Sequence, residues 1–253
     1  MIKKPACAAS PKAPTKYIGI VSAMDNEIDL LLKEAVIDRV DTVADTDYHV
    51  GSLHGHPVVI TRAGIGKIRA ASGVTALLSN YPISRVMFTG IAGGVADETR
   101  VLDEVVATRL VEHDYGILSN EGFEWRSGDP GFGGEPGVYY ECDPQLVKLA
   151  YAAAVDVVGD DHVFKGTVAT GDQFVANRDY VAKLQKEYDA YACEMEGAAA
   201  AVVCIKYNKP FVVLRALSDK ADGNAHESYE NFGDTAADNS SRIVMKILDS
   251  IGK

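Results

Sequence analysis

The sequence predicts an α/β protein in which a mixed or parallel sheet lies sandwiched between helices. Apolar, β-branched runs alternate with helix-like segments almost throughout, the pattern of sheet strands covered by connecting helices. The run Pro210–Asp219 (PFVVLRALSD) is rich in β-branched and aromatic residues and ends in a carboxylate, as a buried strand does where it reaches a ligand site. With 253 residues, 47% apolar, and no Pro/Ser/Gly-rich interior stretch to mark a boundary, one large core is expected.

The elements follow in order. Tyr17–Ala23 reads as a strand and Asp25–Lys33 as a helix, with acidic residues in its first turn. Tyr48–Leu53 and Pro57–Thr61 form a hairpin around Gly55. Gly66–Ser79 is helical with small residues on one face, and Arg85–Thr89 is the next strand. Glu104–Leu110 is strand-like, Pro144–Val155 helical, Val163–Thr170 a strand and Asn177–Glu187 helical. Ala192–Glu194 (strand), Met195–Tyr207 (helix), Phe211–Leu217 (strand) and a helix from Tyr229 to Ile251 complete the series. Leu118–Gly137 breaks the alternation: it is rich in Gly, Asp and Ser, holds the only tryptophan, Trp125, and reads as a long loop, functional or disordered.

A net charge of −11 argues against a nucleic-acid surface. The cysteines Cys7, Cys142, Cys193 and Cys204 form no Cys-x-x-Cys pair and have no His at metal-ligand spacing, which reads as reduced thiols in a cytoplasmic protein. No stretch approaches the ~18 apolar residues of a membrane span. Residues 1–16 are rich in Ala, Pro and Lys; no apolar segment follows Lys3-Lys4 before Cys7, so they read as a floppy tail rather than a secretion signal. Residues 17–253 are then the single folded domain.

Four carboxylates stand at or just beyond strand ends. Asp219 closes one strand, Glu194 and Glu196 bracket another's junction with an alanine-rich helix, and Glu27 follows the first strand. Read alone, Asp219 is equally a turn cap, alone or with Asp222, and Glu27 a favourable charge at a helix N-terminus. Phe174, Ile65 and Tyr229 are equally core residues. Gly64–Lys67 and Thr89–Gly94 follow strands but lack the spacing of dinucleotide or Walker loops; their glycines fit close approach of backbone to a ligand.

Taken in order, Gly19-Ile20-Val21-Ser22-Ala23-Met24-Asp25-Asn26-Glu27, Ala63-Gly64-Ile65-Gly66-Lys67, Thr89-Gly90-Ile91-Ala92-Gly93-Gly94, Gly171-Asp172-Gln173-Phe174, Glu194-Met195-Glu196 and Ser218-Asp219 resemble the 5′-methylthioadenosine/S-adenosylhomocysteine nucleosidases of the nucleoside phosphorylase superfamily. The resemblance runs from Ile18 to the C-terminal helix. It implies a three-layer αβα sandwich with a central mixed sheet, and hydrolysis of the N-glycosidic bond of methylthioadenosine and S-adenosylhomocysteine without metal or organic cofactor.

The resemblance also assigns roles. Glu27 matches the carboxylate that activates water, and Asp219 the acid that protonates adenine N7. Glu196 matches the residue that holds the ribose hydroxyls, with Met195 packed on the sugar. Phe174 matches the aromatic that stacks on the purine, and the Val175 backbone the group that pairs with its edge. Ile65 and Tyr229 match positions lining the sugar and its 5′-alkylthio group; Ile91, Ala92 and Ser218 fall in matched binding motifs. Glu194 is left as a structural ion pair, with Arg215 as its candidate partner. The implied partners are an adenine nucleoside, water and a second copy of the chain in a homodimer, which residues 118–137 help to form and whose other active site they approach.

One position departs from the family pattern. The family carries Ser or Thr where this chain has Ile91, which removes a hydroxyl expected near Asp219 and adds bulk near the base. Phosphorylases of the superfamily carry Arg-x-Gly-Ser there to hold phosphate, whereas Phe88-Thr89-Gly90-Ile91 offers neither group; hydrolysis is favoured, although Arg62 and Arg69 flank the earlier glycine turn. A phosphorylase, an aminodeoxyfutalosine nucleosidase and a non-catalytic nucleoside sensor are the other readings.

Overall fold

The computed structural model describes residues 16–126 and 138–251. The tail expected over residues 1–16 lies outside them except for Lys16. The first strand, β1 (Tyr17–Ser22), leads into α1 (Asp25–Glu34); β2 (Val36–Val43), β3 (Thr46–Leu53) and β4 (His56–Arg62) follow, then α2 (Lys67–Asn80) and β5 (Ile83–Gly94). Next come β6 (Glu104–Glu112), β7 (Gly116–Ser119), β8 (Gly122–Trp125), β9 (Tyr140–Glu141), α3 (Pro144–Val158) and β10 (Val163–Thr170). The chain ends with α4 (Arg178–Tyr188), β11 (Ala190–Glu194), α5 (Gly197–Lys206), β12 (Phe211–Asp219) and α6 (Ala225–Ser250).

The main sheet runs β11-β10-β6-β12-β5-β1-β4-β3-β2 and mixes parallel and antiparallel pairs. Helices α2 and α5 pack one face, where Leu77, Ala198 and Val203 meet Val86 and Val213. The other face is covered by α1, α3 and α6, through Leu31, Leu146 and Ile243 against Ile20 and Leu214. This is the expected αβα sandwich. It carries one closure: β11 also pairs antiparallel with the end of β5, Ala192 opposite Gly94 and Cys193 opposite Gly93. Strands β5, β12, β6, β10 and β11 therefore form a ring, which draws the carboxyl ends of β11 and β12 together.

Local chemistry explains most boundaries. Asp143 caps α3, accepting from Gln145 N and Leu146 N at 3.0 and 2.9 Å, with Pro144 in the first turn. The β3–β4 hairpin turns on His54 and Gly55, both at positive φ, as a two-residue turn requires.

Two elements differ from expectation. Strand β2 carries Asp38, Arg39 and Asp41 and leaves Val36 and Val40 exposed; an edge strand of this kind shows no buried alternation. The segment Leu118–Gly137 is not wholly a loop, because β7 and β8 pair as a small hairpin, Leu118 opposite Phe123. Trp125 anchors it by donating Nε1–H to Glu112 O at 2.7 Å. The remainder of that segment, 127–137, lies outside the described residues.

Glu104, at the start of β6, is fully buried opposite Ala216. Neither carboxylate oxygen makes a well-formed hydrogen bond among the described residues, although the Arg215 amide lies near enough to favour the ionised form. Burial pushes the carboxyl well above the usual carboxylate range, against the pull of the Arg215 charge. Glu104→Met should stabilise the protein by about 1–3 kcal/mol, read by denaturant unfolding. The folded-state value lies above the unfolded one, so the wild type loses stability as pH rises; the gain should be larger near pH 8 than near pH 5, both round figures.

Candidate active site

At the carboxyl ends of β1, β5, β11 and β12 lies a cavity of about 290 Å³. Each of the sequence-nominated residues borders it: Glu27, Ile65, Ile91, Ala92, Phe174, Val175, Met195, Glu196, Ser218, Asp219 and Tyr229. Met24, Gln173, Cys193 and His226 complete much of the wall.

Glu27 is buried in the first turn of α1, and its carboxylate reaches back to the chain that precedes the helix. Its Oε2 accepts from Ala23 N and Met24 N, both at 2.8 Å, and Oε1 accepts from Ile91 N at 2.9 Å. The helix-terminus reading of Glu27 is thus correct, and the same carboxylate faces the cavity. Burial raises its pKa, while Arg215 and the three amides oppose the rise. Gly90 makes the approach feasible: a Cβ there would sit 2.4 Å from Glu27 Oε1 and 2.7 Å from Arg215 Nη1.

Arg215 is the largest fully buried side chain. Its Nη2 and Nε donate to Glu194 Oε2 at 2.5 and 3.2 Å, and Nη2 lies 3.6 Å from Glu196 Oε2. Nη1 has no hydrogen-bond partner among the described residues and faces the same side of Gly90 as Glu27 Oε1. Glu194 also accepts from Gly197 N at 2.7 Å and from Thr170 Oγ1, so it caps α5 and neutralises Arg215 together. Sequence reasoning found this ion pair but gave Arg215 no place in the site. The available signal was an arginine inside an otherwise apolar strand, which must find carboxylates.

Glu196 accepts from Gly66 N at 2.8 Å. Burial, then the neighbouring Glu194 charge, raises its pKa to about 8, with Arg215 pulling the other way. Asp219, 3% exposed, accepts from Ala221 N at 2.6 Å through Oδ1 and from Ser218 Oγ at 2.8 Å through Oδ2. It caps its turn as the plain reading has it, and it also faces the cavity. Burial raises its pKa against those two hydrogen bonds.

The mouth is aromatic. Phe174 is 55% exposed and stands edge-on to Tyr229, ring centroids 6.5 Å apart. Tyr229 donates its hydroxyl to Met24 Sδ at 3.7 Å. Phe174 is therefore not a core residue. Ile91 lies in the cavity wall: its amide serves Glu27 and its side chain packs with Ala216, Ala236, Ala237, Met24 and Tyr229, while Asp219 accepts from Ser218 Oγ and Ala221 N. Arg62 and Arg69 border a second cavity, where Arg62 pairs with Asp25 at 3.0 Å and Arg69 donates to Ile65 O at 3.1 Å.

Comparison with known proteins agrees with this architecture. Residues 17–249 match the phosphorylase superfamily. The 5′-methylthioadenosine/S-adenosylhomocysteine nucleosidase of Bacillus thuringiensis (strain Al Hakam) is 36% identical over 236 residues, 92% of this chain and 99% of the relative. The crystal structure of the nucleosidase of that name from Neisseria meningitidis, in complex with methylthio-immucillin-A, superposes with a TM-score of 0.83 at 32% identity, covering 93% of this chain and all of that one. Futalosine hydrolase of Helicobacter pylori strain 26695 gives 0.81 at 30% identity, over 94% and 99%. The chain belongs to the phosphorylase superfamily and, within it, to the 5′-methylthioadenosine/S-adenosylhomocysteine nucleosidases.

Proposed function

We propose that the protein hydrolyses the N-glycosidic bond of 5′-methylthioadenosine and S-adenosylhomocysteine, releasing adenine and the 5-thioribose sugar. The observation that carries this reading is the convergence of Glu27, Glu196 and Asp219 on one cavity whose mouth is apolar and aromatic. Water is held between Glu27 and the spare N–H of Arg215. As the C1′–N9 bond breaks, its electron pair passes into the purine, Asp219 delivers a proton to N7, and the developing ribosyl cation is stabilised by the carboxylates around it. Water oxygen bonds to C1′ and its proton goes to Glu27. Glu196 accepts hydrogen bonds from the ribose hydroxyls, Met195 packs against the sugar, and Phe174 covers the base.

Phosphate is a poor nucleophile for this site. Glu194 already pairs with the guanidinium of Arg215, which disfavours a second anion. Incubation with methylthioadenosine, with and without phosphate, tests the reading: adenine and free methylthioribose should appear at equal rates in both. A sugar 1-phosphate formed only with phosphate would mean a phosphorylase, and binding of the nucleoside without release of adenine would mean a sensor. The likeness to a futalosine hydrolase favours aminodeoxyfutalosine as a second substrate to be run in parallel.

Glu196 adds a pH dependence. With an empty-site value of about 8, it is largely protonated at neutral pH, whereas the ribose hydroxyls donate best to the carboxylate. Binding then releases a proton, and KM should fall as pH rises from about 6 to about 8. A flat KM over that interval would remove the carboxylate from ribose recognition.

We further propose a cytoplasmic homodimer acting in methionine salvage, with residues 17–253 as its single domain. Buried free thiols at Cys142, Cys193 and Cys204 suit a reducing compartment, and exposed Ile65, Ile68 and Leu118 supply apolar surface for a second copy.

A further inference from the structure

Glu196 and Phe174 enter the cavity from different strand ends, yet each attaches beside one closed hydrogen-bond ring outside the cavity. Helix α2 has no side-chain cap of its own, and two amides at its start go to separate carboxylates. Gly66 N donates to Glu196 Oε1, and Lys67 N donates to Asp172 Oδ1, each at 2.8 Å. Asp172 N in turn donates to Asp114 Oδ2, and Asp114 Oδ1 accepts from Lys67 Nζ, both at 2.7 Å. Lys67, Asp172 and Asp114 thus close a cycle drawn from the chain beyond β4, β10 and β6.

Two of the ring's three side chains are largely buried, while Asp172 is exposed. The Lys67 and Asp114 side chains are 18% and 16% exposed, and Lys67 Nζ also lies 3.4 Å from Glu112 Oε1. His113, beside Asp114, is buried with Nδ1 2.9 Å from Tyr180 Oη. Its ring is packed so closely on Gly171 that a Cβ there would sit 2.3 Å from Nε2. Asp172 is two residues from Phe174, and Gly66 directly precedes Lys67. Neither Asp114 nor Lys67 borders the cavity.

We infer that Asp114, acting through Lys67 and Asp172, is a positioning residue that fixes the spacing between the ribose carboxylate and the purine-covering loop. The inference rests on the roles proposed above for Glu196 and Phe174. Glu27 and Asp219 are held by hydrogen bonds of their own, outside the ring. Loosening the ring therefore weakens recognition of base and sugar more than it slows the chemistry.

Steady-state kinetics with methylthioadenosine, and adenine as product inhibitor, test this in Asp114→Asn, Lys67→Met, Lys67→Arg and the Asp114→Asn/Lys67→Met double variant. Asp114→Asn and Lys67→Met should each raise KM and the adenine inhibition constant about tenfold while kcat changes less than about threefold. Lys67→Arg, which keeps the charge and the donors, should remain near wild type. The double variant should be no worse than the poorer single one, because both break one cycle. Unchanged KM with kcat falling in step with the folded fraction, or additive losses in the double variant, would overturn the inference. If Asp114→Asn does not fold, the contrast between Lys67→Met and Lys67→Arg decides it. Failure of the wild-type protein to release adenine would instead overturn the proposed function.

Discussion

Asp219→Asn should lower kcat for methylthioadenosine by about 10²–10⁴-fold while the protein stays folded. The fold is spared because the amide oxygen can still accept from Ala221 N, and Ser218 Oγ can turn to accept from the new NH₂. What is lost is the acidic proton. Adenine is a poor leaving group as an anion, so protonation of N7 must accompany C1′–N9 cleavage, and an amide cannot supply it. Burial raises the Asp219 pKa, which keeps more of the acid protonated as pH rises. The sign follows: turnover that needs protonated Asp219 declines as pH climbs through its raised value, and this alkaline limb should vanish in the variant. A ribosyl substrate whose leaving group needs no proton, such as a nitrophenyl 5-thioriboside, should recover most of the lost rate. Near-wild-type turnover of methylthioadenosine by Asp219→Asn would dismiss Asp219 as the acid.

The parts of this site that were legible in the sequence share one property: each lies where a hydrophobic pattern stops. Asp219 ends β12, Glu194 ends β11, and Glu27 follows β1, so strand runs alone marked three of the carboxylates. Local pattern cannot show which way an oxygen points. Glu27 and Asp219 both cap their own turns and both face the cavity, so the plain reading does not exclude the chemical one. Ring closure was out of reach for another reason. The run Gly90–Gly94 reads as a loop, yet it continues β5 and pairs with both β12 and β11, because glycine lets carboxylates and a guanidinium approach the backbone. Glu104 shows the converse: no local pattern marks this charge at a strand start as buried, and only the packing around β6 and β12 makes it so.

Arg215→Met should be the most destabilising single change in the site, by about 3–5 kcal/mol, seen as a fall in Tm on the order of 10 °C. Arg215 is 0% exposed and is the cation facing Glu194, Glu196 and Glu27. Removing it leaves Glu194 buried with Thr170 Oγ1 and backbone amides as its remaining donors. A buried carboxylate that loses its counter-charge takes up a proton rather than remain ionised. In the variant, folding is then coupled to proton uptake, so its stability should fall as pH rises and its deficit should narrow in acid. A Glu194→Gln/Arg215→Met double variant should recover part of the loss, because it removes both charges and keeps an amide to meet Gly197 N and Thr170. Activity should not return with stability, because the water proposed between Glu27 and Nη1 loses its donor in both variants. Recovery of turnover in the double variant would mean that Arg215 serves the site only by holding Glu194, and would leave Glu27 alone to orient the water.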